Sequence, residues 1–100
     1  MKTDFVARLT AAGVLTGSSF SGWQDVGPLF AVLDVMRGEG ATAVIKFDGG
    51  RDGDVYTVIV SGGKLAADVF REDGGDVRAL LESAIQFYNE KVWRLDTSSV

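Results

Sequence analysis

The sequence predicts an α+β fold in the order α-α-β-β-β-α, with a three-stranded antiparallel meander packed against helices. Apolar residues recur every three or four positions near both ends of the chain, which is typical of amphipathic helices. The middle holds three runs of strand-forming residues joined by short glycine-containing connections, which indicates neighbouring antiparallel strands. The 100 residues suit one domain. We expect residues 1–94 to form it and 95–100 to be a polar C-terminal tail.

The first helix is predicted by apolar residues from Phe5 to Leu9. A Gly- and Ser-rich loop, residues 13–23, comes next and carries Phe20 and Trp23. The simpler interpretation is that both rings pack over the edge of the core. Exposed aromatic side chains are also favoured anchors of interfaces, so both residues are candidate contacts for a partner.

The second helix is expected to begin at Asp25, as its N-cap, and to end at Gly38. The three strands are expected at residues 41–48, 55–60 and 64–70. The middle strand is apolar on both faces, as in strands that are covered on both sides.

The last helix has the clearest pattern. Asp73 is its expected N-cap, with Asp76 three residues later in the spacing of a capping box. A core stripe follows that includes Val77, Leu81 and Tyr88.

The composition excludes several classes of function. The chain has no cysteine and no histidine, so disulfides, thiolate metal sites and Ser–His–Asp or Cys–His catalysis cannot be built. We therefore expect a protein that is not an enzyme and holds no cofactor or metal. The formal net charge is −4 and the ten basic residues are scattered. Nucleic-acid binders normally need a basic face, so direct binding to nucleic acid is not expected.

The sequence predicts neither a membrane span nor an export signal. No stretch approaches the roughly 20 apolar residues of a membrane span. Asp4 and Arg8 interrupt the first residues, whereas a signal peptide needs an unbroken apolar run. The expected location is the cytoplasm, with no contact to a membrane.

Residues 48–54 read DGGRDGD and form the predicted loop between the first two strands. Turn chemistry is a sufficient account, because tight turns use glycine for positive φ and aspartate for local hydrogen bonds. A calcium loop of the EF-hand type does not fit. Starting from Asp48, its third position is Gly50, where Asp or Asn is required, and its twelfth is Ile59, where Glu is required.

The meander brings a second acidic stretch beside this loop. In such a sheet, the end of the third strand lies at the same edge as the first hairpin. Six carboxylates are expected there, and we call them the acidic end: Asp48, Asp52, Asp54, Glu72, Asp73 and Asp76. Helix capping and turn formation can place each of them independently. Together they also offer a surface complementary to a basic partner, whose association such charges accelerate.

These observations favour a small acidic domain that binds a basic protein partner through the acidic end, extended by Phe20 and Trp23. In its compact, acidic, cofactor-free character it is similar to bacterial immunity proteins and phage-encoded inhibitors, an analogy of physical character and not of sequence. One alternative is a structural protein that assembles with itself, most simply as a homodimer. Another is a regulatory module with a ligand pocket between the sheet and the last helix, lined by Tyr88 and Trp93.

Overall fold

A computed structural model describes residues 3–96, and its elements follow the predicted order. The helices are α1 (Thr3–Ala11), α2 (Gly27–Gly38) and α3 (Val77–Tyr88), and a π-helical turn, Asn89–Trp93, continues α3. The strands are β1 (Thr42–Phe47), β2 (Tyr56–Ser61) and β3 (Phe70–Gly74). They form one antiparallel sheet in the order β1-β2-β3. The α+β prediction and the three-stranded meander are confirmed.

The third strand begins later than predicted. Instead of a strand over 64–70, the chain forms a short 3-10 helix, Gly63–Leu65, and β3 covers the charged stretch that follows. The backbone at Gly63 has a φ of +57°, in the left-handed region that turns the chain away from an extended path. Leu65 is buried at this turn. Leu65 therefore anchors a turn, and polar side chains occupy the outer strand, where charges discourage further pairing.

The core lies between one face of the sheet and the helices α2 and α3. From the sheet, Val58 and Val60 are fully buried in the middle strand. The helices add Leu33, Met36, Val77, Leu80, Leu81, Ala84 and Tyr88. Because α3 carries most of the helical contribution, its stripe closes the sheet as the sequence predicts.

Both predicted helix caps are misplaced, by three residues at α3 and by one residue at α2. Asp76, and not Asp73, caps α3, since its Oδ1 accepts hydrogen bonds from the amides of Arg78 (3.0 Å) and Ala79 (3.4 Å). Asp73 lies in β3 instead. The residue before α2 is Val26, because Asp25 adopts a φ of +63° and forms the preceding turn. A local aspartate pattern fits a turn and a cap equally well, so packing decides between neighbouring positions.

The N-terminal part stands apart from this core. Among the described residues, Trp23 is the first that packs against the core cluster. Phe5 on α1 is 48% exposed, and the molecule measures 45 × 28 × 27 Å. The amphipathic pattern of α1 therefore predicted a helix correctly, but that helix adds little to the core.

The C-terminal end is held as far as Leu95. The Asn89 side chain donates to the Leu95 carbonyl (2.9 Å) and accepts from the Leu95 amide (3.0 Å). Residues 97–100 of the predicted tail lie outside the described residues. None of the helices described between residues 3 and 96 is long and apolar enough to cross a membrane.

Candidate functional site

Arg51 organises the hairpin between β1 and β2. Its Nε lies 3.1 Å from Asp48 Oδ2, and its Nη1 lies 3.6 Å from Asp73 Oδ1 on β3. Nη1 also donates to the carbonyl oxygen of Asp54 (3.0 Å). One guanidinium thus closes the loop on itself and ties it to the neighbouring strand, a task that suits its fork of donors.

Asp48 serves the turn. Its Oδ1 accepts a hydrogen bond from the Gly50 amide (3.0 Å), which is the local bond expected of aspartate in a turn. Lys46 lies 3.4 Å from its other oxygen. The Gly50 amide, together with the positive charges of Lys46 and Arg51, holds the pKa of the Asp48 carboxyl below its usual value. Both carboxylate oxygens of Asp48 therefore have partners within the protein.

Asp73 is engaged in the same way, from the strand side. It faces Thr57 in the β2–β3 register, and the buried Thr57 hydroxyl donates to its Oδ1. This hydrogen bond, followed by the charges of Arg51 and Arg71, lowers the pKa of Asp73. The structure therefore brings Asp48 and Asp73 together around Arg51, whose guanidinium balances the negative charge of both carboxylates.

Three of the predicted acidic residues have no such partner. Asp52 and Asp54 are exposed at the tip of the hairpin, and Glu72 is exposed on β3 opposite Val58. Within residues 3–96, no ion pair involves any of these three carboxylates. Two of these three carboxylates, Asp52 and Asp54, therefore lie at the tip of the loop that Arg51 holds.

An aromatic cluster borders the acidic end. Phe47 and Tyr56 are the last residue pair of β1 and β2 before the hairpin. The Trp23 ring stacks on Phe47 with centroids 5.5 Å apart and an interplanar angle of 5°. Tyr56 meets both rings edge-on, at 6.1 Å from Trp23 and 5.2 Å from Phe47. Trp23 therefore packs against the sheet, as the simpler interpretation of the sequence held.

The sequence analysis did not identify Phe47 and Tyr56 as part of the candidate site. Phe47 is 62% exposed, although it lies on the core face of β1. The available signal was their position, because each aromatic residue flanks the DGGRDGD loop at a strand end. Phe20, the other predicted aromatic contact, is exposed in a 3-10 helix, Gly17–Phe20, and makes no ring contact in the described part of the chain.

A small cleft joins the aromatic cluster to the start of α3. It has a volume of about 310 Å³ and is lined by Gly22, Trp23, Tyr56, Gly75, Asp76 and Val77. Asp76 thus lies near the hairpin end, but its carboxylate is used to cap α3. In the described range, no group of three or more carboxylates could hold a metal ion. The available chemistry is attraction of cations at the loop tip and apolar contact beside it.

The opposite end of the sheet holds a different carboxylate. Glu39 Oε1 accepts hydrogen bonds from the Tyr88 hydroxyl (2.8 Å) and from Trp93 Nε1 (3.1 Å). These two donors lower the pKa of Glu39. Burial, together with the hydrogen bond to Glu39 and its negative charge, raises the pKa of Tyr88 to about 12. Tyr88 is fully buried and fills the core. Of the two residues expected to line a ligand pocket, only Trp93 borders a groove, of about 290 Å³, between α2 and α3.

Comparison of the chain with protein-family models, with curated proteins and with solved structures finds no match. The geometry of the acidic end is therefore the basis for a functional proposal.

Proposed function

We propose that this protein is a non-enzymatic binding domain that docks a basic protein partner through the acidic end. The observation that carries the proposal is the Arg51-held hairpin, which presents Asp52 and Asp54 in solvent with no ion pair among the described residues. A loop already held in one conformation loses less entropy on binding than a flexible one.

The charge arrangement favours fast association. Unpaired surface carboxylates attract a basic surface over roughly a Debye length, about 8 Å at physiological salt. Charges at the rim of an interface act mainly on the association rate, and salt screens their effect. The cleft beside Trp23 and Tyr56 supplies apolar surface on which the carbon stem of a lysine or arginine side chain can pack.

The test compares two double variants with equal changes in charge. Asp52→Asn/Asp54→Asn removes the free charge of the loop tip. Asp68→Asn/Glu90→Gln is the control, because both residues are exposed outside the hairpin and α3 cap. The tagged wild-type protein would capture partners from a lysate of its own organism at low and at high salt, and mass spectrometry would identify them.

The captured partner would then be used for rate measurements by surface plasmon resonance. We expect the loop-tip variant to associate roughly tenfold more slowly at low salt and to show a flatter dependence on salt, with the control unchanged. Equal association rates and equal salt dependence for the wild type and the loop-tip variant would refute the proposal.

A further inference from the structure

The outer edge of β1 is an unpaired strand edge. β1 pairs with β2 on one side, and no other strand of the described chain lies on its other side. The Asp48 amide donates to the Val55 carbonyl (2.7 Å) just beyond the end of β1. In this register the backbone groups of the even-numbered residues of β1 form the hydrogen bonds to β2. Because an antiparallel ladder alternates, the amides and carbonyls of Ala43, Ile45 and Phe47 point outward.

A groove runs beside this edge. It lies between β1 and α2, has a volume of about 440 Å³ and is lined on its apolar side by Phe30, Leu33, Ala41, Ala43 and Ile45. Phe30 is 42% exposed, although it lies on the helix that covers the sheet. The strand edge and the groove therefore form one continuous surface with free hydrogen-bonding groups and apolar side chains.

We infer that a second copy of this chain occupies this surface and pairs its own β1 antiparallel to the first. A two-fold axis at Ile45, perpendicular to the sheet, sets Ile45 against Ile45 and Ala43 against Phe47 of the other copy. The outward-pointing groups then meet in hydrogen-bonded pairs on both sides of the axis. The result is a continuous six-stranded sheet with an isologous interface.

The shapes of the paired residues support a second copy as the occupant. Phe47 leaves 62% of its surface exposed in the single chain. The opposing residue in this register is Ala43, a small residue that lines the groove. Each copy therefore offers one large and one small side chain at matching distances from the axis, so both large rings gain cover at once.

The charges beside the groove are also self-complementary. Asp34 and Arg37 lie one turn apart on α2, both side chains are 70% exposed, and they form an ion pair at 2.7 Å. The same two-fold axis runs the two α2 helices antiparallel, so Asp34 of one copy faces Arg37 of the other. In an isologous interface each such contact occurs twice, so Arg37 of the first copy also faces Asp34 of the second. An unrelated protein would match these two charges only by chance.

The dimer is independent of the proposed function. Asp52 and Asp54 lie beyond Phe47 in the hairpin, so the loop tip stays outside the strand pairing. Loss of dimerisation would leave the acidic end in place, and neutral substitutions at the loop tip would leave the β1 edge in place.

The first test is the mass of the purified full chain by light scattering across a concentration series. We expect twice the 10.6 kDa of a single chain. The variant Ala43→Pro removes one outward amide and spares the ladder to β2, since proline is tolerated where the amide faces out. It should raise the dimer dissociation constant at least roughly tenfold. Val44→Thr, on the other face of the same strand and without a change of charge, is the control for strand stability.

A charge exchange makes the test independent of backbone changes. Asp34→Arg should weaken the dimer because it places like charges across the axis, and the double change Asp34→Arg/Arg37→Asp should restore it. Both sites are exposed, so the fold should persist. A monomeric wild type throughout the concentration series would overturn the inference. So would a dimer whose dissociation constant is unaffected by Ala43→Pro and by Asp34→Arg.

Discussion

The two ends of the sheet use carboxylates in opposite ways. At the hairpin end, Asp48, Arg51 and Asp54 interact within one seven-residue loop, and the tip remains in solvent. At the other end, Glu39 accepts hydrogen bonds from Tyr88 and Trp93, which lie 49 and 54 positions away in the sequence. The first arrangement shapes a loop, whereas the second joins the end of α2 to the end of α3.

The backbone shows the same contrast. Near Glu39, a Cβ atom at Gly63 would lie 2.7 Å from the carbonyl carbon of Gly40, so the chain segments pack there without room for a side chain. At the hairpin, a Cβ at Gly49 or Gly53 would meet no atom within 4 Å. We therefore expect stability to depend more on the tightly packed Glu39 end than on the hairpin end.

The largest expected effect is a loss of stability at the Glu39 end that the hairpin end does not share. Tyr88→Ala removes a fully buried ring that packs against Trp93 and a hydroxyl bonded to Glu39. We expect the free energy of unfolding to fall by about 3–5 kcal/mol, as for other buried aromatic residues. Asp52→Ala at the loop tip should change it by less than about 0.5 kcal/mol. Urea denaturation of both variants measures the difference, and similar losses would contradict the comparison.

A smaller effect is expected inside the hairpin end. Arg51→Ala leaves Asp48 and Asp73 without their shared cation and the Asp54 carbonyl without a donor. Because Arg51 is about one-third exposed, we expect a loss of only about 1–2 kcal/mol.

Arg51→Lys is the matched variant for this site. It keeps the charge but cannot reproduce the fork of donors, so it should recover part of the loss and not all of it. Full recovery in urea denaturation would mean that charge alone holds the loop. Hydrogen exchange at the loop amides would then show whether the loop itself had loosened.

The sequence was informative where interactions are local. The hairpin at residues 48–54 follows from glycine and aspartate at turn positions, and its place beside β3 follows from the meander. The engagement of Asp48 by Gly50 also follows from turn chemistry. What could not be predicted is the choice among equivalent aspartates, since Asp73 and Asp76 both fit a cap pattern and only packing placed one of them in β3.

Contacts between residues that are far apart in the sequence could not be predicted from local patterns. Nothing local to Glu39 distinguishes it from other surface glutamates, yet it meets two ring donors from the end of α3. In the same way, the alternating pattern around Leu65 predicts a strand, but Leu65 is buried at a turn. The left-handed backbone conformation of Gly63 directs the chain into that turn. Contacts of this kind depend on how the elements pack, which periodicity does not describe.

The finest test of the comparison is the pH dependence of the Glu39 end. Burial and the hydrogen bond to Glu39 raise the pKa of Tyr88 from 10.0 to about 12. Since the unfolded chain ionises first, the stability from Tyr88 is complete below pH 10.0 and is lost as the pH rises towards about 12. Tyr88→Phe should cost about 0.5–1.5 kcal/mol at neutral pH through the lost hydrogen bond. Its deficit relative to the wild type should then shrink between these two pH values.

The control is Tyr56→Phe, which alters the second tyrosine at the hairpin end and leaves the Tyr88 hydroxyl bonded to Glu39. Unfolding free energies of the three proteins from pH 8 to pH 12 should show a flattened alkaline decline in Tyr88→Phe only. A parallel decline in the wild type and Tyr88→Phe would mean that the Glu39 end does not hold the Tyr88 proton. The two ends would then differ in packing but not in electrostatics, because the link between Glu39 and α3 would rest on the buried ring rather than on its hydroxyl.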